Sequence, residues 1–184
     1  MARFSIRDTS LKGLHVVERR KVEDSRGFFS RFFCAEEIAA AGFLRPIAQI
    51  NHTLTKRRGS VRGMHFQFPP HSEDKFVSCL RGEVFDVAVD LRKDSPTFLQ
   101  WHAEILAADN DRSLLIPQGF AHGFQTLVDD VELLYLHSAP YAQAAEGGLS
   151  PVDPTLAIAW PLELTELSPR DAAHLHLTND FGGI

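Results

Sequence analysis

Two segments put histidine where proton chemistry is possible. The first is Arg62-Gly63-Met64-His65-Phe66-Gln67, followed by Pro69-Pro70 and then Lys75; the second is Ile116-Pro117-Gln118-Gly119-Phe120-Ala121-His122-Gly123-Phe124. Each sets an imidazole among apolar and glycine neighbours, an unusual surrounding unless a pocket uses it. Histidine titrates near neutrality and serves well as a general base, so His65 is a candidate base and Asp171 a candidate partner for its cation. Tyr135 is a candidate general acid, and Lys75 a candidate cation for a developing negative charge. His122 follows Gly119 in a turn, in reach of Asp86 or Asp90. Residue type alone leaves ordinary alternatives open: a satisfied core histidine, a solvated loop lysine, a core tyrosine. A metal is a rival reading, because His65, His122 and a carboxylate form a two-histidine, one-carboxylate set. The pattern is incomplete for a His-x-His site, since His65 is followed by Phe66-Gln67. His71, His102, His174 and His176 fall in loop or tail segments and are expected to face solvent.

The elements that carry these residues are short and β-like. Apolar runs alternate with turn residues, as in a sandwich or barrel: Leu14–Arg20, Phe28–Cys34, Ile47–Thr55, Ser60–Phe68, Phe76–Leu80, Glu83–Leu91, Trp101–Leu106, Ser113–Ile116, Gly123–Thr126 and Val131–Ser138. Ala35–Ala41 reads as a helix closed by Gly42. A short helix after Ser168-Pro169 has a capping serine, a first-turn proline and Asp171 at its N-terminal end. In the Glu83–Leu91 segment, Phe85, Val87, Val89 and Leu91 share one face; Val84, Asp86, Ala88 and Asp90 share the other, either a wet pocket lining or a solvent-facing side. Strict alternation puts Arg62 and His65 on opposite faces unless Gly63 hosts a bulge. Tyr135 shares its face with Val131, Leu133 and His137.

A length of 184 residues suits one core, so a single domain over residues 1–184 is expected. The formal net charge is −5 and no basic run is longer than Lys56-Arg57-Arg58, which argues against a nucleic-acid partner. Cys34 and Cys79 are too few for a disulfide framework and read as buried free thiols. The N-terminus lacks an apolar signal core and no segment is long enough to span a bilayer, so no membrane association and a cytoplasmic setting are expected.

Assembled, the chain resembles the dTDP-4-dehydrorhamnose 3,5-epimerase family of cupin-like jelly rolls over about Leu11 to Asp171. The resemblance rests on Asp24-Ser25-Arg26-Gly27-Phe28-Phe29, Gln49-Ile50-Asn51-His52, the two histidine segments, Arg81-Gly82-Glu83-Val84-Phe85-Asp86-Val87-Ala88-Val89-Asp90-Leu91-Arg92, Ser95-Pro96-Thr97-Phe98, and Asp153-Pro154 before Trp160-Pro161. It implies an all-β double-stranded β-helix with a few short helices. The implied enzyme is an isomerase that inverts carbons beside the ketone of a nucleotide-linked 4-keto-6-deoxy sugar by proton removal and return, without cofactor or metal. His65 with Asp171 is then the base, Tyr135 the acid, and Lys75, assisted by Arg62, the partner of the enolate oxygen. Arg26, Phe29, Gln49, Asn51, Asp86, His122 and Tyr141 are implied on the substrate side, Arg26 at the diphosphate. The resemblance also implies a homodimer with exchanged N-terminal strands, so that Arg26 serves the neighbour's site.

Departures from the common family pattern are Arg31 in place of a glutamate, Leu136-His137-Ser138 after the tyrosine in place of Lys-Thr-Thr, and Pro151-Val152 before Asp153 in place of Trp-Asn. These bear on which carbon is inverted. Action at both C3 and C5 of a dTDP-linked sugar stands against action at one carbon only; a metal-dependent cupin oxygenase or isomerase and a non-catalytic sugar-nucleotide binder are the other classes.

Overall fold

In a computed structural model that describes residues 2–184, the chain forms two antiparallel sheets packed face to face. The strands are β1 (Phe4–Asp8), β2 (His15–Arg19), β3 (Lys21–Asp24), β4 (Gly27–Ser30), β5 (Gln49–Thr55), β6 (Val61–Gln67), β7 (Lys75–Arg81), β8 (Glu83–Asp90), β9 (Trp101–Ala107), β10 (Arg112–Ile116), β11 (Phe120–Thr126), β12 (Val131–His137) and β13 (Glu146–Gly148). Helices α1 (Ala35–Ile38) and α2 (Pro169–Ala172) are single turns, and α1 continues as a tighter 3₁₀ turn over Ala39–Ala41 that Gly42 closes with φ near 98°. One sheet runs β1-β2-β10-β7-β12-β5, the other β13-β6-β11-β8-β9, and β3–β4 stand apart as a hairpin. This is the expected all-β jelly-roll class.

Between the sheets lies a core that includes Val16, Val77, Leu114 and Leu133 on one side and Val84, Ala88, Leu106 and Phe124 on the other. A second cluster covers the outer face of the β6–β11–β8 sheet, where Val87, Val89 and Leu91 meet Leu156, Ile158, Trp160 and Phe181 from the C-terminal segment. A third seats Ile38, Ala41 and Phe43 on Phe76 and Leu115. Both faces of β8 are therefore covered. The Val84-Asp86-Ala88-Asp90 face is interior, not solvent-facing, and both aspartates are fully buried. Asp90 survives there because Arg92, Ser95 and Thr97 all donate to its carboxylate, which sits at about 2: burial pushes it up, and those bonds outweigh burial.

Three strands escape the sequence pattern, for identifiable reasons. β1 is an edge strand with four exposed residues out of five, β3 is half of an exposed hairpin, and β13 has three residues, two of them glycine. None has a one-sided apolar face to read. The expected Phe28–Cys34 strand shortens to Gly27–Ser30. The Ser168 cap is as expected: its hydroxyl accepts the backbone N–H of Asp171 at 3.0 Å. Cys34 and Cys79 are free thiols; Cys79 is buried, whereas Cys34 is only half-buried.

Candidate active site

The site begins at a bulge in β6. His65 pairs with His122 and Arg62 with Phe124, so Gly63 and Met64 together face the single residue Gly123, and the register shifts there. Gly63 has φ near 135°, and a Cβ on it would come within 2.5 Å of the Gly123 Cα. Only glycine fits that approach. The extra residue turns Arg62 to the side of His65, and both line one cavity of about 270 Å³.

His65 is held by Asp171. Its Nε2 lies 2.7 Å from Asp171 Oδ1, while the other carboxylate oxygen accepts the Gly63 N–H at 3.3 Å. Burial alone would raise the Asp171 carboxyl, but the hydrogen bond and charge of His65 and the Gly63 N–H hold it down at about 2. An ionised carboxylate on Nε2 fixes the proton there and leaves Nδ1 as the basic nitrogen of neutral His65. The Arg170 guanidinium stands 3.2 Å from His65 Nε2 and reaches Glu146 at 2.8 Å.

The opposite wall comes from the other sheet. Lys75 opens β7, so it is a buried strand residue and not a loop lysine; its Nζ donates to the His65 carbonyl at 3.2 Å and pairs with Glu73 at 3.3 Å. Tyr135, on β12, is buried between two imidazoles. His122 meets it edge-on and His137 lies nearly parallel to it, each with ring centroids 6.0 Å away. Burial, with the nearby Asp86 charge, pushes the Tyr135 phenol far above its ordinary value, so it holds its proton. His122 sits within β11, not in the turn before it, and its Nε2 lies 3.0 Å from Asp86.

A polar chain borders this wall. Gln49 Nε2 donates to Asn51 Oδ1 at 3.0 Å, Asn51 Nδ2 lies 3.3 Å from His137 Nε2, and His137 Nδ1 lies 2.9 Å from Glu73. Burial raises the Glu73 carboxyl, but His137 and Lys75 together bring it below the usual range. Tyr141 closes the chain: its backbone N–H donates to Gln49 and its hydroxyl to Glu146.

Of the sequence-derived site residues, His65, Tyr135, Lys75, Asn51, Arg62, His122 and Tyr141 line the cavity, with Asp171 and Asp86 directly behind two of the histidines and Gln49 at its border. Arg26 and Phe29 do not. They belong to the exposed β3–β4 hairpin, where Arg26 is tied to Asp24 at 2.6 Å. The sequence reading missed Glu73, His137, Glu146 and Arg170. His137 stands out only as part of the Leu136-His137-Ser138 departure; the other three come from loop, edge and tail segments with no periodic signal. His65 and His122 each keep a separate aspartate, so they do not share one carboxylate as a metal set would need. Two histidines were misplaced. His102 is half-buried on β9 with an unpartnered Nε2, and His174 turns inward, its ring edge against Gly148 and its Nε2 at 4.0 Å from Asp171.

The sequence and the fold both resemble those of known proteins. Residues 8–179 match the family model described as dTDP-4-dehydrorhamnose 3,5-epimerase. The chain is 41% identical over 167 residues to the dTDP-4-dehydrorhamnose 3,5-epimerase of Salmonella typhimurium, covering 90% of this chain and 91% of that one. It is 39% identical to the dTDP-4-dehydrorhamnose 3-epimerase of Streptomyces niveus, covering 90% and 80%. Its fold superposes with a TM-score of 0.88 on the dTDP-6-deoxy-D-glucose-3,5-epimerase of Legionella pneumophila solved with dTDP-4-keto-L-rhamnose, at 40% identity and 93% and 91% coverage. With the family model spanning residues 8–179 and a relative of 41% identity covering nine-tenths of both chains, the chain belongs to the dTDP-4-dehydrorhamnose 3,5-epimerase family.

Proposed function

We propose that the protein epimerises a dTDP-linked 4-keto-6-deoxy-hexose at C3 and C5. The observation that carries this reading is His65 on one sheet, backed by Asp171 from α2, facing a protonated Tyr135 and a buried Lys75 on the other sheet across a single cavity. The ketone acidifies the C–H bonds beside it. His65 Nδ1 removes such a proton, and Asp171 stabilises the imidazolium that forms. The developing enolate oxygen faces Lys75, with Arg62 beside it, and their charges stabilise it. Tyr135 returns a proton from the opposite face of the ring, which inverts the centre. A base and an acid on opposite sheets supply the two faces that inversion requires. Gln49, Asn51, His122 and Tyr141 hold the sugar and base, with Asp86 fixing His122.

The 3-epimerase among the relatives favours a second reading, inversion at one carbon only. Proton NMR of dTDP-4-keto-6-deoxyglucose in deuterated water separates them. Deuterium entering both C3 and C5 is the expected result; exchange at one position leaves the single-site reading.

The hairpin supports a dimer. Phe28 and Phe29 are 62% and 63% exposed, and Arg26 sits at its tip, outside the cavity that His65 lines. Those features suit a hairpin that crosses to a second copy, carrying Arg26 to the diphosphate and Phe29 to that copy's substrate. No helix among the described residues is long and apolar enough to cross a membrane. A cytoplasmic setting fits two free thiols and a nucleotide-sugar substrate. The chain acts as a single jelly-roll domain, its C-terminal segment supplying both Asp171 and the cover of one sheet.

A further inference from the structure

We propose that His65, Asp171 and His174 form a zinc-binding site, and that zinc held there switches the enzyme off by capturing its base. Among the described residues, these three offer ligand atoms that all lie within 4.8 Å of one another. His65 Nε2 is 2.7 Å and His174 Nε2 4.0 Å from the same Asp171 oxygen. Ligand atoms around a tetrahedral zinc stand about 3.3 Å apart, so small side-chain rotations from these positions complete the set. Two imidazoles and one carboxylate suit zinc and not magnesium or calcium, which require oxygen.

His174 has no evident duty otherwise. Its Nε2 is buried without a hydrogen-bond partner, and its ring is wedged against Gly148, where a Cβ would approach to 2.2 Å. Gly148 pairs with His65 across the β13–β6 ladder, so the glycine lets the second imidazole lie beside the first; the two ring centroids are 6.0 Å apart. Asp171 is fixed by the α2 cap and the Gly63 N–H, which makes the central ligand rigid.

The inhibition follows from the tautomer and rests on the proposed base role of His65. A neutral imidazole has one proton and one available lone pair. With Asp171 holding the proton on Nε2, the lone pair is at Nδ1. Zinc on Nε2 takes the lone pair at that atom, and the proton moves to Nδ1; no proton is gained or lost, but the base is gone. Arg170 opposes the metal, since its guanidinium occupies the space beside His65 Nε2 and Asp171 at 3.2 and 3.4 Å. Its side chain is about half exposed and already anchored to Glu146, which leaves it room to withdraw.

The test is a zinc titration of the metal-stripped full chain by calorimetry, alongside solvent-deuterium exchange into dTDP-4-keto-6-deoxyglucose. One equivalent of zinc should bind in the micromolar range and abolish exchange in proportion to occupancy, and a chelator should restore it. His174→Gln should keep exchange in the absence of metal and weaken zinc uptake by more than about tenfold, while Arg170→Ala should tighten uptake. Cobalt in place of zinc gives an absorption band that reports the site independently of activity. The site is overturned if the wild-type chain takes up no zinc, or if His174→Gln binds it as tightly. The switch is overturned if zinc raises exchange. It is equally overturned if His174-dependent binding leaves exchange intact, and that outcome with His65→Ala still active would remove the base role itself.

Discussion

Asp171 illustrates how much one carboxylate does at the residue scale. It accepts from His65 and from the Gly63 backbone, and its own N–H is capped by Ser168 three positions earlier. Replacing it with asparagine removes the charge that stabilises imidazolium and allows the wrong tautomer, so exchange should fall by about 10²–10⁴-fold. Because its folded value of about 2 lies below the ordinary carboxylate value, its stabilising effect is present above the unfolded value and is lost as pH falls through the folded one. The stability gap between the wild-type protein and Asp171→Asn, read by urea unfolding, should therefore be widest near neutrality, on the order of 2 kcal/mol. It should close as the solution is acidified from about pH 4 towards 2. His65→Ala and Tyr135→Phe should each cost about 10²–10⁴-fold in turnover with unchanged circular dichroism; a non-catalytic sugar binder would lose neither binding nor function.

At the scale of elements, the bulge in β6 and the one-turn helix α2 build the His65–Asp171 side of the cavity. Gly63 carries the bulge, and its Cβ has no space against Gly123. Gly63→Ala should destabilise the protein by about 1–3 kcal/mol, from the positive φ and the close backbone approach. It should also lower turnover beyond what that destabilisation explains, since Arg62 and His65 would no longer share the cavity. Thermal unfolding and solvent exchange measured on the same sample separate the two effects. On the facing sheet, Lys75 and His137 are directly paired across β7 and β12, so Glu73, in the loop before β7, meets both. The sheet register, and not sequence proximity, assembles that trio.

On the scale of the whole molecule, the two sheets act as the two jaws of the site, and the C-terminal segment locks one of them from outside while delivering Asp171. The β3–β4 hairpin joins neither of the two large sheets; Lys21 at its base meets Asp111 at 2.8 Å, and its tip is exposed. If it serves a neighbour, Arg26→Ala and His65→Ala variants should each be inactive alone. Mixed after reversible dissociation, they should regain about a quarter of wild-type exchange, since half of the random dimers are mixed and each holds one intact site. Activity that stays absent on mixing, in dimers shown by light scattering to have exchanged subunits, would place Arg26 in the site of its own chain.

Much of this was legible in the order of residues. Period-two alternation marks the long central strands because each has a buried face, and the serine-proline-aspartate run marks α2 because capping is a local event. His65, Lys75, Tyr135 and Asp171 could be named because their chemistry is specific and their flanking segments resemble a family. Other features depend on distance in sequence. Whether Arg62 reaches the cavity depends on Gly123, about sixty residues away, accepting a bulge. Which aspartate each histidine meets, why Glu73 and His137 touch, and why His174 turns inward against Gly148 are all set by strand register and by the path of the C-terminal segment. A side chain's type and local pattern are written in the chain; its partner is chosen only when the sheets close, because pairing places in contact residues that no local rule connects.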